Sequence, residues 1–257
     1  MLIILKLGGS ILSDKNTPFS VKWDNLERFG EEIRNAMEYY KEKNEKLNLI
    51  IVHGGGSFGH PVAKKYLRDG KFCNMQKGFW EIQKAMRRFN NLVIDTLHFY
   101  DIPAVSIQPS SFVVFKKDSL IFDLSAIKEL LKRDLVPVVH GDIVVDDDDN
   151  YKILSGDHIL PYLTKKLNVD LSLHASDVDG VLDENGNVIE KIDKSNIDDV
   201  LKMLKDSKGI DVTGGMYLKV MEAYKMGVKT IIFNGNKRGN IYNALIGNVM
   251  GTVIIGD

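Results

Sequence analysis

Seven short β-rich runs, at 2–7, 47–53, 102–108, 135–140, 169–174, 228–234 and 252–255, are for the most part continuously apolar rather than apolar at every second position. A strand that shows one face to water alternates, whereas a strand covered on both faces does not. Helical patterns lie between the runs, at 23–44, 75–100, 125–133, 196–205 and 216–226. The fold class this predicts is α/β, a three-layer αβα sandwich around a central, mostly parallel sheet. With 257 residues and 44% hydrophobic content the chain can bury a sizeable core, near the upper size of one domain, so a single two-lobed domain is expected. At 142–154 the pattern changes to two short runs around four aspartates, a hairpin with an acidic turn.

Glycine clusters border three of the apolar or helical segments. They are Lys6-Leu7-Gly8-Gly9-Ser10, His53-Gly54-Gly55-Gly56-Ser57-Phe58-Gly59-His60, and Asp211-Val212-Thr213-Gly214-Gly215-Met216 followed by Lys219. Glycines at a strand end or helix start leave backbone N–H groups free to face anionic oxygens. In parallel sheets ligands collect at the carboxyl ends of the strands, where the first two clusters fall. Lys6 could simply snorkel to solvent from a strand end, but two adjacent glycines let a phosphate approach until the ammonium is its counter-charge. Lys219 is either a solvated helix position or a flank of the same anion pocket. His60 precedes Pro61, a residue suited to a first helical turn, which puts it where an anion would sit.

Other chemistries are excluded or weak. A net charge of -1 gives no overall attraction to nucleic acid or anionic membrane. The single Cys73 precludes an internal disulfide framework and a cysteine zinc site, and fits a reducing, cytoplasmic compartment. The apolar start meets Lys6 after five residues, too short for a signal-peptide core or a membrane span. Gly54, Gly56 and Gly59 match a dinucleotide-binding spacing, but residues 77–81, where the ribose-binding acid should close a strand, lie in a helical pattern. Neither a Walker P-loop nor the protein-kinase segments occur. Asp146 to Asp149 lack the spaced ligands of a calcium loop and read as a solvated turn, so no metal ligands are assigned.

Five ordered pieces resemble the amino acid kinase superfamily across nearly the whole chain. They are Lys6-x-Gly8-Gly9-Ser10, His53-Gly54-Gly55-Gly56, Ser155-Gly156-Asp157, Ala175-Ser176-Asp177-Val178-Asp179-Gly180-Val181, and Thr213-Gly214-Gly215-Met216-x-x-Lys219. Within it, Gly56-Ser57-Phe58-Gly59-His60 looks like the isopentenyl phosphate kinases, in which a histidine at this place binds the acceptor phosphate. The resemblance implies ATP with magnesium on its phosphates, isopentenyl phosphate as acceptor, a role in isoprene biosynthesis by a mevalonate route, and a homodimer. It implies an acceptor lobe over 1–160 and a nucleotide lobe over 161–257. Implied catalytic residues are Lys6, Lys15, His60, Asp157 and Lys219, with Asp157 holding the lysines in place, although a helix N-cap is its plainer reading. Implied ATP contacts are Lys6, Gly8, Gly9, Ser10, Gly56, Asp177, Gly214, Gly215 and Lys219. Acceptor contacts are Gly54, Gly55, Gly59, His60 and Gly156. Phe79, Ile82 and Met86 offer a slot for the apolar tail, at a spacing an ordinary core helix also shows. Competing expectations are a uridylate or phosphonate kinase of the superfamily, and a non-catalytic nucleotide-binding sensor.

Overall fold

The apolar runs become strands, mostly buried on both faces except at the sheet edge, where Ser106 is exposed, and helices fill the intervals between them. The computed structural model describes residues 1–14, 16–68, 71–117, 119–147, 150–206 and 215–256. In chain order the strands are β1 (Leu2–Leu7), β2 (Asn48–His53), β3 (Leu67–Arg68), β4 (Lys71–Phe72), β5 (Ala104–Ile107), β6 (Val114–Lys116) and β7 (Ser119–Ile121). They continue with β8 (Val136–His140), β9 (Asp142–Asp146), β10 (Tyr151–Leu154), β11 (Leu171–Ser176), β12 (Lys191–Ile192), β13 (Thr230–Asn234) and β14 (Thr252–Ile254). The α-helices are α1 (Gly9–Leu12), α2 (Trp23–Glu42), α3 (Gly56–Tyr66), α4 (Met75–Phe99), α5 (Ser125–Lys132), α6 (Gly156–Leu167), α7 (Ile197–Asp206), α8 (Gly215–Lys225) and α9 (Asn240–Leu245).

The main sheet runs β12-β14-β13-β11-β1-β2-β8-β5, parallel except where β14 meets β13. This is the α/β sandwich the apolar runs call for. Alternate residues of β1 serve two separate cores, Ile3, Leu5 and Leu7 packing with α2 and α4, and Ile4 with α5 and α6. β9 and β10 form the expected antiparallel hairpin, joined by β6 and β7 into a second, four-stranded sheet. That sheet was not foreseen, because three-residue strands are too short to display a period.

Helix starts depart from expectation in two places. α3 begins at Gly56 rather than after His60, so the glycine loop is itself the first helical turn and Pro61 lies inside the helix. The proline has no N–H for the Ser57 carbonyl, which instead accepts the Phe19 N–H at 3.0 Å. On α6 the cap is Ser155, whose N–H donates to His158 Nδ1 at 3.2 Å, so Asp157 stands in the first turn and is not the cap. Phe58 fixes α3 to α4 by stacking on Phe89 with centroids 4.5 Å apart. Both rings are buried, each contributing about 2 to 3 kcal/mol of apolar burial. Among the described residues, no helix is long and apolar enough to cross a membrane.

Candidate active site

Three helices, α1, α3 and α6, start with a glycine at the carboxyl ends of strands, and Gly215, the first described residue of α8, lines the same cavity. Each start leaves backbone donors without helical partners and a partial positive charge facing one place. The first two starts touch. A Cβ on Gly9 would lie 2.9 Å from the Cα and N of Gly56, and Gly56 takes φ of +45°, so both positions require glycine. Ser13 ties the loops together, its hydroxyl donating to Gly9 O at 2.9 Å and accepting the Ser57 N–H at 2.8 Å.

Between these starts lies a cavity of about 500 Å³. Lys6, Gly8, Gly9, Ser10, Gly54, Gly55, Gly59, His60, Ile82, Met86, Gly156, Asp157, Gly215 and Lys219 all line it, so most of the sequence-derived candidates converge. Gly56 stands behind the lining against Gly9. Asp177 lies just outside, at the end of β11, accepting from the Ser176 hydroxyl at 3.3 Å. Phe79 is also outside the lining, with its ring centroid 4.8 Å from that of Tyr151. Lys15 and Gly214 lie outside the described residues.

The cavity has two characters. At one end the buried Lys6 pairs with Asp157, and Lys219 and Gly215 of α8 line the cavity with them. Burial pushes the Asp157 carboxyl upward, but the Lys6 charge and hydrogen bond, with a smaller effect from Lys219, outweigh it and hold the group below the usual carboxylate range. The other end, beyond Gly55 and His60, is walled by Ala63, Ile82, Met86 and Ile153. Met86 Sδ packs where a Cβ on Gly59 would fall, at 2.7 Å, so the apolar wall presses directly on the glycine loop.

Among the lining residues outside the candidate set, three bear on the chemistry or the shape of the cavity. His174 is the register partner of Lys6 on β11, buried, with Nε2 3.0 Å from Ser172 Oγ. Burial, then the Lys6 charge, lower its pKa to about 3, so the ring is neutral beside the ammonium. Asp142, pushed up to about 6 by burial, accepts the Ser110 N–H at 3.0 Å. Ile153 comes from the hairpin, and nothing in the local pattern distinguishes it from other core positions. His140-Gly141-Asp142 did carry a signal, since it repeats the strand-His-Gly pattern of His53-Gly54.

A parallel sheet with glycine-started helices and paired lysines at its carboxyl edge is the frame of a small-molecule kinase. The chain belongs to the amino acid kinase family, whose model matches residues 1–234, and within it to the isopentenyl phosphate kinases. It is 65% identical to the isopentenyl phosphate kinase of Methanocaldococcus jannaschii over 258 residues, covering 99% of this chain and 98% of that protein. It is 36% identical to that of Methanothermobacter thermautotrophicus, covering 99% of each. A solved structure described as isopentenyl phosphate kinase superposes with a TM-score of 0.81 at 32% identity, over 99% of this chain and 100% of the other.

Proposed function

We propose that the chain phosphorylates isopentenyl phosphate to isopentenyl diphosphate with ATP, by in-line transfer in which lysines, a histidine and backbone N–H groups offset the charge. The observation that carries this reading is one cavity lined both by Lys6, Lys219 and the glycine-loop backbone and by the apolar Ala63, Ile82, Met86 and Ile153. A phosphate monoester is largely dianionic at neutral pH because its second pKa is about 6. Its oxygen therefore attacks without a general base, forming the new P–O bond while the bond from Pγ to the bridging oxygen breaks and its electron pair leaves with ADP. The obstacle is repulsion, about 3 kcal/mol for each pair of unit charges about 5 Å apart at an effective dielectric of about 20.

In this reading Lys6, Lys15 and Lys219 neutralise the transferring phosphoryl, and Asp157 keeps the lysines from splaying. Gly8, Gly9, Ser10, Gly56, Asp177, Gly214 and Gly215 hold ATP in the lobe built on 161–257 and at its border. Gly54, Gly55, Gly59, His60 and Gly156 hold the acceptor phosphate, and Ile82, Met86 and Phe79 shape the tail slot in the lobe over 1–160. Magnesium enters only as the ion carried on ATP. Among the described residues no group of three or more His, Cys, Asp or Glu converges to hold a metal, and no step is assigned to one. Cytoplasmic residence and a homodimer belong to the same reading, and light scattering on the purified protein measures the second.

The test is ADP release from MgATP with isopentenyl phosphate, with uridylate and without acceptor. Turnover dependent on isopentenyl phosphate is expected, whereas preference for uridylate, or nucleotide binding without turnover, overturns the proposal. Two variants probe the two ends. His60→Ala should raise the acceptor KM about tenfold or more with the ATP KM little changed, and an unaltered acceptor KM removes His60 from that role. Ile82 is almost fully buried in the apolar wall. Ile82→Ala should improve kcat/KM for a longer prenyl phosphate about tenfold relative to isopentenyl phosphate, measured in competition.

A further inference from the structure

Two buried histidines end neighbouring strands beneath the glycine loop. His53 closes β2 and His140 closes β8, and the parallel register sets them side by side. Their rings stack with centroids 5.6 Å apart and 26° between the planes. Each turns Nδ1 onto the carbonyl of the glycine that follows it, at 3.0 Å for Gly54 and 2.9 Å for Gly141. A carbonyl oxygen only accepts, so Nδ1 carries the proton in both rings. Burial lowers both pKa values to about 4, with His140 adding to the effect on His53, so the rings are neutral and each Nδ1–H is a fixed donor. On its other side, His53 Nε2 lies 3.0 Å from Asn90 Oδ1, and Asn90 Nδ2 lies 2.7 Å from Ser106 Oγ. With the proton on Nδ1, Nε2 can only accept, so this tautomer requires the Asn90 amide turned to donate its N–H to Nε2 and to accept the Ser106 hydroxyl proton.

The consequence lies in the next peptide group. In a trans peptide the carbonyl and the following N–H point in opposite directions, and no cis bond occurs among the described residues. With the Gly54 oxygen drawn down to the His53 ring, the Gly55 N–H is turned away from the core. Gly55 lines the cavity, and among the described residues no acceptor takes that N–H. The second histidine braces the first loop, because the Gly141 N–H donates to the His53 carbonyl at 2.9 Å while Gly141 and Asp142 line the same cavity.

We infer that His53 and His140 are positioning residues for the acceptor phosphate: each ring locks the peptide plane after its own strand, and the plane after Gly54 thereby presents the Gly55 N–H to the anion. This rests on the reading that the acceptor phosphate sits at Gly55 and His60. Neither imidazole touches substrate in this scheme; both act through the backbone.

The test uses the geometry of substitutes. Asparagine can place an amide N–H near the position of Nδ1–H, whereas glutamine places its amide near Nε2 and misses the Gly54 carbonyl. His53→Asn should keep the acceptor KM within about threefold of wild type, and His53→Gln should raise it about tenfold with the ATP KM within about twofold. The same ordering, at smaller size, is expected for His140→Asn against His140→Gln. Equal effects of asparagine and glutamine, or parallel rises in both KM values, would mark the histidines as packing residues and overturn the inference. A measurement on the unaltered protein stands beside these. The Gly55 amide proton should shift strongly downfield in NMR spectra on saturation with isopentenyl phosphate, and an unmoved resonance would equally overturn it. Absence of acceptor-dependent turnover in wild type would instead defeat the functional reading.

Discussion

Lys6→Met should lower kcat by about 10³-fold or more while the protein still folds, the largest catalytic loss expected from a single substitution here. Methionine keeps the unbranched stem, whose Cε passes 3.4 Å from the place a Cβ on Gly156 would occupy, and removes only the charge. A cation supplied to a phosphoryl-transfer transition state is worth about 10³ to 10⁵ in rate, or at least about 4 kcal/mol of barrier. The substitution also strips Asp157 of its partner. Because Lys6 depresses the Asp157 pKa below its ordinary 3.8, the pair contributes stability above that pH, and the contribution is lost as pH falls through the lower folded value. The side chain of Asp157 is 45% exposed, so solvent screening keeps this effect modest. The variant should therefore lose turnover at neutral pH far out of proportion to stability. Single-turnover ADP formation beside a thermal melt separates the two, and a kcat within about tenfold of wild type would remove Lys6 from the transfer step.

What could be read in advance divides along a physical line. Glycine clusters, strand ends and helix starts are local, set by a few adjacent residues, and so Lys6-Leu7-Gly8-Gly9 and His53-Gly54-Gly55-Gly56 announced their positions. Strand order is not local. Nothing in the run at 2–7 says that β1 will lie between β11 and β2, and so the pairing of Lys6 with His174 in register was invisible. Lys6 and Asp157 are 151 positions apart. Their meeting was anticipated only through family resemblance, whereas spacing alone left Asp157 as a helix cap, a place the structure gives to Ser155. Helical periodicity found the face carrying Phe79, Ile82 and Met86 but could not say which of them reach a cavity. Ile82 and Met86 do, and the Phe79 ring lies against Tyr151. The β9–β10 hairpin was legible from its aspartates, but its delivery of Asp142 and Ile153 to the cavity depends on tertiary packing.

Glu32→Ala should cost about 3 to 5 kcal/mol of stability, the largest structural loss expected, although Glu32 lies outside the cavity lining. Arg28 and Glu32 are both buried on α2 and paired at 3.0 Å. Arg28 also donates to Gly235 O at 2.7 Å, Lys237 O at 3.2 Å and Asn25 Oδ1 at 3.2 Å. Glu32 accepts the N–H groups of Gly239 at 2.8 Å, Ile241 at 2.9 Å and Tyr242 at 3.2 Å. One carboxylate thus neutralises a buried guanidinium and satisfies the start of α9, where Gly239 turns the chain at φ of +86°. Its removal leaves a buried charge and three backbone donors unmet, the costly side of the asymmetry in buried ion pairs. For a domain of this size the loss corresponds to a fall of about 10 °C in Tm. The clamped segment follows β13 and reaches the cavity floor, since a Cβ on Gly235 would meet Ile11 and Ala175 at 2.7 and 3.1 Å. Loosening it should therefore raise the ATP KM before it touches the acceptor KM. Denaturant titration decides the point, and a change below about 1 kcal/mol would mean that water satisfies these donors and that the clamp is not what holds α9 to α2.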